Sequence, residues 1–484
     1  MKKIGRSKLI CALSTLDARQ LTRFLQFVRS PFFNSHQPTL DLAEYLADQR
    51  RRWDRITKEE LSEKLFPGQP HEEFRVSNTM SYLMDLFDRF LIQTGMEGQP
   101  ETDLYGLEAA MDLGLVSLFR QNMAGSRKRM EGMPVKDDKY YWMKFRLQLA
   151  DHDYQFGLET DFHISTLQES LTALDVWYFK IRLERTCELF AIQEMKRQRE
   201  TVPFLERHFD FIRKNLAYFE AFPVVILYYK CLLMVRENEE LKHYFDLSAY
   251  FSKHEFNLNT HDRTTIYRHL LNYTIRKTNS NDPFFERESL NVYKKLIDNG
   301  LIFRGGKIQQ SEYNNIISLS CNFQEYEWAR DFAGKYVAYL PEDVRENAGN
   351  FNMANIYFHE KRYDESLELI GQVAFTNIFY QIKVRFLQIK IYFEQGEDSL
   401  LQSALDSFRI FNLRNKKMPV FHRKGGLNFV RFARVLVNLE SLSRAGGDRS
   451  LRTKARQLVA RLMAYDEPLI NKPWLLEKSE ALLK

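Results

Sequence analysis

Between about residues 310 and 412 the chain repeats itself every 35 to 37 positions, and no other feature constrains its fold as tightly. Each unit reads as helix, turn, helix. In the second unit Ala354, Tyr357, Tyr363 and Ser366 are spaced 3, 6 and 3 apart. That spacing sets small residues where two antiparallel helices cross, with a ring on either side of the turn. The first unit has Tyr326 and Ala329 at the equivalent second-helix positions, Pro341 where the unit closes, and Ser320 in place of the partner tyrosine. From Tyr326 to Tyr363 is 37 residues and from Tyr357 to Tyr392 is 35, close to the roughly 34-residue period of helical-hairpin repeats.

The apolar spacing agrees independently. Phe379, Ile382, Phe386, Ile389 and Phe393 step by 3, 4, 3 and 4, which lines them along one helical face, and Tyr363, Leu367 and Ile370 do the same one helix earlier. A single hairpin cannot bury its own apolar surface, so the units must stack on neighbours. An ordinary helical bundle shares the 3.6-residue period and is the competing architecture. Only 20 Gly and 13 Pro interrupt 484 residues, so long helices are expected throughout. The 38 Phe and 24 Tyr are then expected to pack between helices.

Four regions follow. Residues 1 to about 98 read as an N-terminal helical domain closed by Gly95, Gly98 and Pro100, with Leu21, Phe24, Leu25 and Val28 on a helix stopped by Pro31. Residues 101 to 283 read as long helices without a repeat, broken by the run Asn279 to Asp282. Residues 284 to 412 hold the repeats. Residues 413 to 484 are basic helices, with Gly425-Gly426 and Gly446-Gly447 expected as turns and Trp474 in a closing segment.

The run Ser30-Pro31-Phe32-Phe33-Asn34, the segment Met80 to Leu91, the run Asn272 to Arg276 and the repeats from Tyr326 to Arg414 together resemble an uncharacterised bacterial family of long tetratricopeptide-like helical-repeat proteins. The resemblance covers most of the chain. It implies an all-α fold, an α-solenoid of helical hairpins with an N-terminal helical domain, and it brings no assigned activity and no functional residues.

The net charge is only +6, yet residues 399 to 464 carry fourteen Lys and Arg against three acids, which makes that segment +11 and the remainder −5. Arg409, Arg414, Lys416, Lys417, Arg423, Lys424, Arg431 and Arg434 are the candidate partner-binding residues. After Gly426, Phe429, Phe432, Leu436 and Leu439 define a buried stripe, so Arg431 and Arg434 are expected to face solvent. A basic face of this kind receives nucleic-acid phosphates, receives an acidic protein, or only keeps the chain soluble. These readings stay open on sequence alone.

A second nucleic-acid pattern lies near the N-terminus. Thr57 can cap a helix bearing Leu61 and Leu65, Phe66-Pro67-Gly68 breaks it, and a second helix is expected from about Phe74 to Gln93. In helix-turn-helix use, Arg75, Ser77, Asn78 and Ser81 would face the groove. The Pro67 to Glu73 linker is longer than that motif uses.

Catalytic patterns fail on inspection. Gly305-Gly306-Lys307 lacks the first glycine of a phosphate loop (Leu301) and the following Ser/Thr (Ile308), and reads as an inter-helix turn. The 11 histidines show no His-Glu-x-x-His, since His254-Glu255 is followed by Leu258. Asp151-His152-Asp153 and Asp161-Phe162-His163 are neighbours in sequence only and point apart on a helix. No cofactor or metal is therefore expected, nor an enzyme. Leu9 to Leu13 is too short for a signal-peptide core, and Phe222 to Val235 contains Pro223 and Lys230 and reads as a buried helix with no membrane role. With Cys11, Cys187, Cys231 and Cys321 far apart, a cytoplasmic location is expected. The sequence points to a non-catalytic scaffold that holds a partner protein on the concave surface of residues 284 to 412. Its alternative is a nucleic-acid- or ribosome-associated factor that uses the basic C-terminal helices.

Overall fold

A computed structural model describes residues 3–157, 164–196, 198, 200–278, 283–374, 378–415, 418–446 and 450–483. The fold is all-α and built of α-solenoid-type helical hairpins. Among the described residues there is no β-strand, only the isolated bridges Lys3 with Thr57 and Arg304 with Lys307. No helix among them is long and apolar enough to cross a membrane. The chain divides into two compact units, one of Met1–Leu232 with His254–Asn259, the other of Leu233–Lys253 with Thr260–Lys484.

The first unit begins with α1 (Lys8–Ser14), α2 (Ala18–Arg29), α3 (Gln37–Asp48), α4 (Lys58–Leu65) and α5 (Glu73–Met96). These helices share one core, in which Phe24 meets Phe87 at 5.4 Å and Phe90 at 5.3 Å. Asp17 closes a capping box on α2, and Ser30 ends it in extended conformation before Pro31. Phe33 then folds back to stack on Phe27 at 4.1 Å. The hairpin of α6 (Glu101–Asp112) and α7 (Val116–Glu131) follows, then α8 (Asp138–Gly157), α9 (Ile164–Lys196), α10 (Leu205–Lys214), α11 (Leu216–Phe219) and α12 (Pro223–Arg236). Val224 to Met234 of α12 are buried apart from Lys230 and Leu233, which are partly exposed.

In the second unit α13 (Leu241–His254), α14 (Thr260–Thr278) and α15 (Pro283–Asp298) share an aromatic core of Tyr244, Tyr273 and Phe285. The expected break at Asn279 to Asp282 lies outside the described residues. Gly305 and Gly306, both at positive φ, form the tight turn that closes Arg304 onto Lys307. Three hairpins follow: α16 (Gln310–Asn322) with α17 (Tyr326–Tyr336), α18 (Glu342–His359) with α19 (Tyr363–Gly371), and α20 (Ile378–Gln395) with α21 (Asp398–Arg414). They occupy the repeat read from the sequence.

The three turns have one geometry. Gln324, Lys361 and Gly396 each take a left-handed conformation, with φ of 60°, 64° and 73°. The next N–H in each case bonds back across the turn, from Glu325 to the Ser320 carbonyl, Arg362 to Tyr357 and Glu397 to Tyr392, at 2.9, 2.8 and 3.0 Å. This is the helix-ending pattern that satisfies otherwise orphaned carbonyls. Within the second hairpin the crossing point is tight because the Ser366 hydroxyl donates to the Ala354 carbonyl at 2.7 Å.

Helix α20 shows why stacking is obligatory. Ile382, Phe386, Ile389 and Phe393 enter the core shared with α21 and the later helices, while Tyr380, Val384, Leu387 and Ile391 enter the core shared with α18 and α19. The Phe379 side chain lies outside the described residues. One helix thus belongs to two cores, as a stacked repeat requires.

The chain ends with α22 (Val420–Arg444), α23 (Leu451–Met463) and α24 (Lys472–Ala481). Gly425 and Gly426, expected as a turn, are instead buried inside α22. A Cβ on Gly425 would meet Ile470 at 2.8 Å, and one on Gly426 would meet the Asn412 amide oxygen at 2.5 Å. The glycines are there for close approach of neighbouring segments, which outweighs their poor helix propensity. Gly446 does follow the end of a helix, with φ of 103°, whereas Gly447 lies outside the described residues.

Candidate functional site

The wheel of α20 places charge where the two cores leave a gap. At about 100° per residue the two apolar stripes lie on opposite sides, and Lys383 and Lys390 fall on one edge between them, about 90° from each. Seven residues apart, they are separated by about 10 Å along the helix axis. This edge opens on a groove of about 370 Å³. Asn314, Asn315 and Ser318 of α16 line one side and Phe351, Asn352 and Asn355 of α18 stand next to them; His422 of α22 and the Ile470-Asn471 turn also contribute. A groove on the first helices of consecutive hairpins is a product of the repeat itself.

Its polar groups divide into two sets. Asn352 is fixed, donating to the Asn314 side-chain oxygen at 2.6 Å and to the Ala348 carbonyl at 2.8 Å. Gln310 donates to the Tyr380 hydroxyl beneath them, and Asn315 reaches the Tyr293 hydroxyl at 3.5 Å. Asn355, Lys383 and Lys390, by contrast, have no hydrogen bond or ion pair among the described residues. The Lys383 ammonium lies 5.6 Å from the Phe351 ring centre and that of Lys390 lies 6.0 Å from the Trp474 ring centre.

Burial dominates the electrostatics here. Desolvation lowers the Lys383 pKa, although its side chain remains exposed to solvent. Desolvation takes Lys390 down to about 8, against the opposing pull of the Glu477 and Glu394 carboxylates and with some help from the Lys478 charge. His359, close behind on α18, is pushed down to about 4 by its own burial and then by the Lys390 charge. The carboxylates nearest Lys390 are already engaged, because Lys478 holds Glu394 at 2.7 Å and Glu477 at 3.1 Å.

None of the basic residues singled out in the sequence that the structure describes lines the groove. Arg409 and Arg414 are exposed on α21, Lys424 and Arg431 are exposed on α22, and Arg423 and Arg434 are half-buried there. Lys416 and Lys417 lie outside the described residues. The buried stripe Phe429, Phe432, Leu436 and Leu439 is as expected. Arg431 faces solvent but rests on the Phe432 and Tyr465 rings, 5.0 and 5.3 Å from their centres. Arg434 is tied to Asp406 of α21 in an ion pair and is only half-exposed.

At the N-terminal helix pair Thr57 caps α4 by accepting the Glu60 N–H at 3.2 Å. Two of the four residues expected to face a nucleic-acid groove are engaged locally. Arg75 pairs with Glu72 at 2.8 Å, and Ser77 accepts from Lys58 at 2.9 Å. Asn78 is half-buried and Ser81 exposed. His152 of the sequence Asp151-His152-Asp153 leans on Asp153 at 3.3 Å while Asp151 pairs with Arg127; Asp161 to His163 lie outside the described residues.

The sequence reading found the apolar stripe of α20 and passed over the two lysines on its edge. Their seven-residue spacing was visible, but the asparagines that face them come from helices about 30 and 70 residues earlier. No known protein-family model matches the chain, and no curated protein sequence matches it.

Proposed function

We propose that the protein is a non-catalytic binding scaffold that holds a segment of a partner protein in the groove of α16, α18 and α20. The observation that carries this reading is a formed cleft in which the Asn355 amide and the Lys383 and Lys390 ammonium groups have no hydrogen bond or ion pair among the described residues. Asparagine amides offer a donor and an acceptor together, which is what an extended main chain needs. The apolar part of the lining, including Phe351, Ile382, Phe386 and Leu387, supplies area for side chains. The four cysteines are free thiols, and Cys187, Cys231 and Cys321 are buried, which supports placing the scaffold in the reducing cytoplasm.

A second reading, a nucleic-acid- or ribosome-associated factor, is favoured by the exposure of Arg409, Arg414, Lys424 and Arg431 on α21 and α22. Affinity capture from the native host's lysate, with and without nuclease, tests both. Ser318→Trp and Asn355→Trp each fill the groove from its rim. Proteins that survive nuclease but disappear with either variant support the groove scaffold. Proteins lost to nuclease and retained by both variants sink it in favour of the second reading.

A further inference from the structure

The groove carries positive charge with no acid in its lining. This inference rests on the scaffold reading and concerns the chemistry of the occupant. An ammonium taken out of water without a counter-ion is unfavourable, and proteins normally pair such groups. Around Lys390 the acids act through space but make their direct ion pairs with another lysine. Glu394, on its own helix, and Glu477, on α24, are both held by Lys478. Facing it from α18 is His359, which burial keeps neutral, and from α24 the Trp474 ring. His422 of α22 completes the titratable lining. The fold therefore leaves Lys390 with no direct ion pair at a place that opens on a cavity, and places the more exposed Lys383, also without an ion pair, about 10 Å away on the same edge.

The kind of anion follows from the other lining groups. The groove contains no arginine, the residue whose forked donors suit phosphate. It contains five asparagines and at least five large apolar side chains, a wall suited to a peptide rather than to a nucleotide. In an extended chain of polyproline II type, with three residues per turn, positions three apart return to the same face about 9 Å along, close to the separation of the two lysines.

We propose that the groove binds an acidic segment of a partner protein in extended conformation, with two of its carboxylates on Lys383 and Lys390 and the intervening main chain on the asparagine amides. Carboxylate binding favours the protonated lysine, so the interaction is strongest below about pH 8 and weakens as Lys390 deprotonates above it.

The test is fluorescence anisotropy on the full-length protein with fluorescein-labelled hexaglutamate, and hexaglutamine as the neutral control, at about 150 mM salt. The expected result is hexaglutamate binding at least about tenfold tighter than hexaglutamine, with about tenfold lost in Lys390→Gln and in Lys383→Gln. Lys390→Arg keeps the charge and keeps most of the affinity. The double variant Arg423→Gln/Lys424→Gln, on α22, changes it by less than about twofold. For the wild type, affinity falls several-fold between pH 7 and pH 9. Should Lys390→Gln fail to fold by circular dichroism, the more exposed Lys383→Gln and the wild-type pH profile carry the test. Equal binding of the two peptides, no binding of either, or a loss confined to the Arg423/Lys424 variant overturns the proposal. The scaffold reading fails separately, if Ser318→Trp and Asn355→Trp leave captured partners in place.

Discussion

Two cationic surfaces belong to the second unit, and they differ in what already neutralises them. On α21 and α22 Arg434 pairs with Asp406, Arg444 sits between Asp398 and Glu440 at 3.6 Å from each, and Arg431 lies over two rings. In the groove, Lys383 and Lys390 pair with nothing among the described residues, and the acids nearest Lys390 have been taken by Lys478. The α21–α22 segment has more charge, and Arg409, Arg414 and Lys424 there are likewise without an ion pair among the described residues, but they stand exposed at the surface, whereas the two lysines of the groove line a cavity. Density of basic residues is therefore a poor guide to where an anion binds; whether a cation stands in open solvent or lines a cavity weighs more.

The largest way to break this contrast is to remove what holds both surfaces in place. Gly426 lets α22 lie against Asn412 of α21, and Gly425 lets the Ile470 turn, which forms part of the groove wall, close over α22. Gly426→Val is expected to cost about 2–3 kcal/mol through overpacking, read as a lowered denaturation midpoint. Binding at both surfaces should weaken together. A variant as stable as wild type would show that α22 can move aside, and the rigid placement of the groove's far wall would not stand.

Acid titration probes the buried ground next to Lys390, where His359 lies. His359 is neutral in the fold down to about pH 4, whereas in the unfolded chain it takes up a proton near its usual 6.5. The unfolded state thus binds more protons between these values, and stability falls as pH drops through that window and is flat above it. From pH 7 to pH 5 the loss is about 2 kcal/mol. His359→Gln should flatten the curve. Denaturant midpoints that fall equally in both proteins would place the acid-sensitive group elsewhere. Lys390 acts on the alkaline side: stability rises between about pH 8 and its usual 10.5, where the unfolded chain keeps a proton that the fold has released.

The repeat was legible because its signals are local. Ala354 and Ser366 meet through a hydrogen bond, and the Tyr357-to-Tyr392 spacing marks the residues whose carbonyls end the first helix of each hairpin. The Phe24 and Phe429 faces were legible for the same reason, as periodic apolar positions within one helix. Gly425-Gly426 misled because a glycine pair signals a turn by propensity, and only the three-dimensional proximity of Asn412 and Ile470 makes it a packing device. The groove was hidden for a similar reason. Lys383 and Lys390 resemble solvated lysines until Asn314 and Asn355 are brought opposite them by stacking, and until Lys478, some ninety residues later, draws off Glu394.

The turns also held something that the sequence concealed. Gly396 announces its left-handed conformation, but Gln324 and Lys361 take the same conformation with a Cβ in place. Lys361→Gly relieves that strain at an exposed site and is expected to stabilise the unit by about 0.5–1 kcal/mol, offset in part by the greater freedom of glycine when unfolded. A destabilised variant in thermal melts would mean that the Lys361 stem contributes packing that exceeds the backbone strain.

The smallest expected effect bears most directly on the contrast between the two surfaces. Asp406 neutralises Arg434 in an ion pair whose two side chains remain 60% and 38% exposed, respectively. Such a pair contributes at most about 0.5 kcal/mol, so Asp406→Asn should leave the melting curve almost unchanged. What it changes is availability. It frees one guanidinium beside Arg409 and Arg431 and removes a negative charge, so any affinity of this surface for a single-stranded oligonucleotide should rise, and its salt dependence should steepen by about one ion. Hexaglutamate bound in the groove should not respond, since Lys383 and Lys390 have no contact with Asp406. If hexaglutamate affinity rises in parallel with oligonucleotide affinity, the two surfaces act as one electrostatic field, and compensation by local acids is not what distinguishes them.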